Sequence, residues 1–268
     1  MKDKVVIITG GSSGIGKACA VEFGRRGAKV VISGRNQQRL DAALEELRAE
    51  SIECLGVISD VAIEQDSIVL VNQTIERYGQ IDVLVNNAGI SMRSLFSDCD
   101  PSVIKKVMEI NFYGAVYATK YALPNIKQTK GSIIGISSIA GYRGLPARTG
   151  YSASKFAMQG FFEALRTELL KEDVHVLVAC PGFTESNIRN TALVGDGHAQ
   201  GESPRDEGKM MKADEVAVHI CNATQKRKRD LVLTSQGKLT VFLNKFFPSF
   251  MDKMVYKHME KEKDSPLK

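Results

Sequence analysis

The 268-residue chain has no apolar stretch near the roughly 18 residues that a membrane span requires. It does not open on a charged segment followed by an apolar one. It enters a strand-like run within five residues, so no secretory leader is expected and the expected address is cytoplasmic. Its five cysteines (Cys19, Cys54, Cys99, Cys180 and Cys221) are odd in number and none are two residues apart. That fits free thiols in a reducing compartment rather than a disulfide framework or a zinc site. The four histidines (His175, His198, His219 and His258) show no metal-ligand spacing, so no metal is expected. Neither sign of charge dominates: 36 basic against 31 acidic residues leave +5, which gives little reason to expect a nucleic-acid partner. The run Lys226 to Arg229 fits a solvated helix end, where cations suit the dipole. With 43% apolar and 25% charged residues, a largely disordered chain is excluded.

What is present is an alternation of short apolar runs with helical spacing. Runs at 4–9 (KVVIIT), 28–33, 53–58, 81–86, 132–137, 174–180 and 231–234 are β-branched and apolar, as strands buried on both faces should be. Between them lie stretches such as 36–50, with Leu40, Ala43, Leu44 and Leu47 on one helical face. Seven strands alternating with helices predict an α/β fold: a doubly wound, Rossmann-like parallel sheet with helices on both faces. Residues 1–238 read as one dinucleotide-binding catalytic domain. The long polar, glycine-rich stretch 183–212 follows a strand's carboxyl end and reads as a lid loop. Residues 239–268 read as an amphipathic extension, with apolar residues from Leu239 through Phe242, Phe246 and Phe250 to Val255 at three- and four-residue steps and lysines between them. Packing on the body, an intersubunit contact or a weak membrane-surface contact would each use that stripe.

Thr9-Gly10-Gly11-Ser12-Ser13-Gly14-Ile15-Gly16 joins the first strand to the first helix. Glycines there permit a tight turn and close approach of a ligand, and the helix N-terminus suits a pyrophosphate. At the end of the second strand, Ser33-Gly34-Arg35-Asn36 has no acid to accept from ribose hydroxyls, and Arg35 offers a planar cation for a 2′-phosphate. NADP(H) is therefore expected over NAD(H), although the glycine loop carries no basic residue before Gly14. Tyr151 and Lys155 stand four apart on an expected helix and share a face. A phenol with a reference pKa of about 10 needs a neighbouring cation to serve as an acid/base near neutrality.

TGGSSGIG resembles the TGxxxGxG signature of short-chain dehydrogenases/reductases. The resemblance continues through Asn86-Asn87-Ala88-Gly89, Tyr151-Ser152-Ala153-Ser154-Lys155 and Pro181-Gly182, in family order over residues 4 to about 235. It implies an oxidoreductase that interconverts a carbonyl and an alcohol by hydride transfer. Tyr151 would be the proton donor and Lys155 its partner and a contact of the nicotinamide ribose. Ser138, 13 residues before Tyr151, would bind the substrate oxygen, with the adjacent Ser137 as rival. Asn111 would hold a relay water through its backbone. Gly10, Ser12, Ser13, Gly14, Ile15 and Gly16 would cradle the nucleotide. Asp60, with Val61 beside it, would meet the adenine, and Asn87, Ala88 and Gly89 would line the ribose. Pro181, Gly182 and Thr184 would contact the carboxamide, Ser186 being the rival hydroxyl. A hydrophobic, lipid- or steroid-like carbonyl substrate and a homodimer or homotetramer, formed through the helices near Asn111 and Tyr151, are expected by the same likeness. An NAD-linked alcohol dehydrogenase and a non-catalytic nucleotide-sensing scaffold are the other readings.

Overall fold

The computed structural model describes residues 1–206, 208 and 210–268; residues 207 and 209, within the expected lid loop, lie outside the described residues. Seven strands, β1 (Val5–Thr9), β2 (Lys29–Gly34), β3 (Cys54–Ile58), β4 (Val83–Asn86), β5 (Ser132–Ile136), β6 (His175–Cys180) and β7 (Asp230–Val232), form one sheet in the order β3-β2-β1-β4-β5-β6-β7. Every neighbouring pair is parallel. The doubly wound parallel sheet read from the sequence is the fold observed.

The helices are α1 (Gly14–Arg25), α2 (Gln37–Ala49), α3 (Glu64–Tyr78), α4 (Pro101–Met108), α5 (Gly114–Thr129), α6 (Thr149–Glu168), α7 (Ala213–Gln225), α8 (Ser235–Phe246) and α9 (Pro248–Glu260). Because strand side chains alternate between faces, β1 feeds two cores. Val6 and Ile8 pack with Phe23 of α1, Leu44 of α2 and Ile220 of α7. Val5 and Ile7 pack on the other face with Leu70 of α3, Ala118 of α5 and Phe162 of α6. Burial on both faces is what makes the five inner strands continuous apolar runs, whereas the edge strands β3 and β7 are only partly buried.

Strand order reverses between β1 and β4, so the loops after those two strands diverge and leave a crevice at the sheet's carboxyl edge. The glycine loop and Asn87–Gly89 border it. Between α4 and α5 the chain makes one turn of π-helix, Glu109–Tyr113, which centres on Asn111. The tail begins its helix at Ser235, four residues before the expected start at 239, because the Thr234 hydroxyl accepts from the Gly237 N–H at 3.0 Å and caps it. Among the described residues, no helix is long and apolar enough to cross a membrane.

Candidate active site

A cleft of about 1010 Å³ runs along the carboxyl edge of the sheet from the glycine loop to the C-terminal helix α9. Its nucleotide end is shaped by backbone. Gly10 sits at φ +63°, and a Cβ there would come within 3.0 Å of the Ala88 backbone. A Cβ on Gly16 would overlap the Asn87 amide and the Gly10 carbonyl. Among the described residues, no side chain caps the N-terminus of α1 and no acid stands in its first turn. Its N–H groups and positive dipole end are left for an anion. The Ser59 hydroxyl, buried beside the cleft, finds no hydrogen-bond partner among the described residues. These features fit a dinucleotide.

Gly10, Ser12, Ser13, Gly14, Ile15, Arg35, Asp60, Val61, Asn87, Ala88, Gly89, Ser138, Tyr151, Lys155, Pro181, Gly182 and Thr184 all line this one cleft. Gly16 and Asn111 stand behind it. Asn87 lines it but spends its amide on the loop, donating to the carbonyls of Thr9 at 2.9 Å and Gly10 at 3.1 Å. Asp60 accepts from the Ala62 N–H at 3.0 Å and lies 3.6 Å from the exposed Arg35 guanidinium. Sequence reasoning missed Arg39, an exposed second cation one helical turn beyond Arg35 that also lines the cleft. Its N–H is held by the Asn36 cap of α2 at 2.9 Å, and a cation four residues after Arg35 was the available signal.

Ser137 and Ser138 follow β5, which ends at Ile136, and both line the cleft. The Ser137 hydroxyl is buried and donates to the Lys155 carbonyl at 3.2 Å, while the Gln159 amide donates to it. Ser138 lies beside Tyr151. The structure differs from the expectation that Lys155 depresses the Tyr151 phenol. Burial dominates and raises the phenol, and the Ser138 hydroxyl, Arg148 and Arg189 only partly oppose it. The Lys155 ammonium lies 5.7 Å from the Tyr151 ring centroid and donates instead to the Ile136 carbonyl at 2.9 Å. Its own burial lowers it to about 8.

Asn111 is buried, and its side chain clamps the loop that follows β4. Its Oδ1 accepts from the Ile90 N–H at 2.8 Å, and its Nδ2 donates to the Ile90 carbonyl and to the Ser154 hydroxyl, both at 2.9 Å. Thr184 is buried, its hydroxyl donating to the Gly182 carbonyl at 3.2 Å, whereas the Ser186 Cβ lies 3.5 Å from where a Cβ on Gly14 would stand. Both rival hydroxyls belong to residues that line the cleft. At the far end of the cleft Leu145, Leu193, Met251, Met254, Val255 and Met259 supply an apolar lining. Among the described residues, no cluster of histidine, cysteine or acidic side chains could hold a metal.

A family pattern described as short chain dehydrogenase matches residues 4–194. Dehydrogenase/reductase SDR family member 7B of Rattus norvegicus is 36% identical over 274 residues, covering 99% of this chain and 84% of that protein. The 11-beta-hydroxysteroid dehydrogenase-like 4A protein of Arabidopsis thaliana is 42% identical over 195 residues, 72% of this chain and 65% of that one. Among solved structures, a short chain dehydrogenase/reductase from Burkholderia phymatum in complex with NAD superposes with a TM-score of 0.83 at 23% identity, covering 93% of this chain and 95% of that one. An alcohol dehydrogenase from Thermococcus sibiricus complexed with 5-hydroxy-NADP gives 0.75 at 24% identity, covering 87% and 96%. These last two likenesses are of fold.

Proposed function

The chain belongs to the short-chain dehydrogenase family, and on that premise we propose that it is an NADP(H)-dependent oxidoreductase that reduces a hydrophobic, lipid- or steroid-like carbonyl to an alcohol. The observation that carries this reading is the convergence of Ser138, Tyr151 and Lys155 between a glycine-shaped anion cradle and an apolar pocket, all in one cleft. The bound nicotinamide would supply the hydride that the carbonyl carbon accepts.

The chain's own residues do the rest. The α1 N-terminus would hold the pyrophosphate, and Arg35 with Arg39 the 2′-phosphate. The Ser138 hydroxyl orients the substrate oxygen and steadies the charge that develops on it. Tyr151, kept protonated by burial, gives that oxygen its proton. Lys155, with the π-turn at Asn111, would return a proton from solvent to Tyr151. The methionine-rich far wall adapts to a bulky apolar substrate, and the name of the Arabidopsis relative supports that class.

An NAD-linked alcohol dehydrogenase is the second reading, favoured by the Arg35–Asp60 ion pair, which engages the guanidinium within the chain. The family likeness and the exposed rings of Tyr113 and Phe156 support a homodimer or homotetramer through α5 and α6. The exposed tail stripe supports contact with a membrane surface, and a cytoplasmic address is part of the same reading.

The test is consumption of NADPH against ketones ranging from small diketones to steroids, with NADH in parallel and Tyr151→Phe as control. Turnover with NADPH on the bulky apolar ketones, lost by about 100-fold or more in Tyr151→Phe with nucleotide binding intact, is expected. Full activity in that variant, or equal use of NADH, would overturn the reading.

A further inference from the structure

Glu262 lies in the C-terminal tail, 68 residues beyond the end of the family match at residue 194, yet its side chain is only 3% exposed. Three guanidiniums from three other stretches converge on its carboxylate: Arg205 at 2.6 Å, Arg148 at 2.8 Å and Arg93 at 3.7 Å. Burial alone would raise this carboxyl, but Arg148 and Arg205 together outweigh that and hold it below the usual carboxylate value.

Each arginine reaches into a different part of the site. Arg148 is the N-cap residue of α6, three positions before Tyr151. It follows Ala147, whose φ of +59° is one that an alanine keeps only when its surroundings hold it. Arg205 comes from the long stretch after β6. Its guanidinium lies 3.7 Å over the Phe183 ring, which in turn stacks on His258 of α9. Phe183 directly follows Pro181-Gly182 at the nicotinamide side of the cleft. Arg93 follows β4 and also donates to the backbone carbonyl of Asp264 at 3.0 Å. Arg148, Phe183, Arg205, His258, Met259 and Glu262 all line the substrate half of the cleft. A buried charge among unlike charges is a poor source of stability compared with apolar packing. Here it joins the tail, the start of the catalytic helix and the wall after β6 at a single point.

We infer that Glu262 is a positioning residue: it latches the C-terminal segment as the outer wall of the substrate pocket and sets Arg148 and Arg205 against it. Its effect on substrate rests on the oxidoreductase reading above, whereas the latch itself does not. Removing the charge leaves three guanidiniums, 10–15% exposed, facing one another, which drives the tail off the body. The nucleotide end does not use these residues.

The experiment compares wild type with Glu262→Gln and Glu262→Asp, first by timed trypsin digestion read by intact mass, then by NADPH fluorescence titration. KM and kcat follow, on whichever carbonyl is turned over. In Glu262→Gln, cleavage after Lys253 and Lys257 should quicken about tenfold while the Kd for NADPH stays within about twofold. KM should rise about tenfold with kcat within about threefold, and Glu262→Asp should recover part of each change. A protected tail and unchanged KM in Glu262→Gln would overturn the latch, as would a loss confined to kcat. Should Glu262→Gln not fold, Arg205→Lys keeps the charge but not the forked geometry. It must show the same loosened tail and raised KM, and a tail as protected as in wild type would overturn the proposal. If no carbonyl is turned over by the wild type, the oxidoreductase reading fails while digestion still decides the latch.

Discussion

Asn111 donates to the Ser154 hydroxyl at 2.9 Å, and that hydroxyl donates to the Tyr151 carbonyl at 2.7 Å. The π-turn is thereby pinned, through one serine, to the turn of α6 that carries the phenol. Single π-turns inserted in α-helices are often found at functional sites, and this one aims a buried amide at both polar groups of Ile90.

Asn111→Leu should cost about 2–4 kcal/mol in urea unfolding, because it leaves the Ile90 N–H, the Ile90 carbonyl and the Ser154 hydroxyl without this partner. Wild-type stability would mean that other groups or water satisfy all three.

Arg35→Ser and Arg39→Ser should each weaken NADPH binding about tenfold or more while leaving NADH binding within about twofold. A charge-assisted hydrogen bond is worth about 1.5–3 kcal/mol and only the 2′-phosphate distinguishes the two nucleotides. Fluorescence titration with both measures this directly. Equal losses for NADPH and NADH would assign the arginines to the shared part of the nucleotide.

Lys155 gives the stability of the fold a pH dependence of unusual sign. In the unfolded chain its ammonium persists to the ordinary 10.5, whereas burial lowers it to about 8 in the folded protein. Between those values the unfolded state binds more protons, so stability should rise with pH there, by about 1 kcal/mol per unit at most. Below about 8 the lysine is charged in both states and the burial penalty is present in full. Denaturation of wild type and Lys155→Met from pH 7 to 10 should show this slope in the first and lose it in the second. Identical slopes would place the titration elsewhere.

Leu239, Phe242, Phe246, Phe247, Phe250 and Met254 are 43–58% exposed, and Lys238, Lys245, Lys253 and Lys257 surround them. Asp252, the one acid over residues 235–257, is paired with Arg143. Such a face should bind vesicles containing phosphatidylserine and leave neutral ones in solution. Phe242→Ser with Phe246→Ser should weaken vesicle affinity about 100-fold or more, since each ring contributes about 1.5–3 kcal/mol of apolar burial. Equal binding by the double variant would free the stripe for another role.

The sheet was legible in the sequence because strands buried on both faces must be apolar throughout, and the nucleotide end because tight backbone approach leaves glycine as the residue that fits. The Tyr151–Lys155 spacing placed both residues on one helix for a similar local reason. The π-turn was not legible: residues 109–113 have ordinary helical character, and one extra residue in a turn leaves no compositional mark. Lys155's preference for the Ile136 carbonyl depends on where β5 ends relative to α6, which spacing along one helix cannot reveal. The apolar stripe of the tail was plain, but which of its faces meets water is decided by the body it lies against. Glu262 had no local signal at all, since its partners stand 57, 114 and 169 residues away.

That last cluster also bears on how the chain can vary over time. One carboxylate is shared by guanidiniums from three separate stretches, so a change at position 93, 148, 205 or 262 alters the charge felt by the other three. Descendants of this chain would keep or lose those four as a set, while the glycine loop and the Tyr151–Lys155 pair pass on regardless of them. Pockets that differ only beyond that point can then diverge in what they admit without disturbing the chemistry they share.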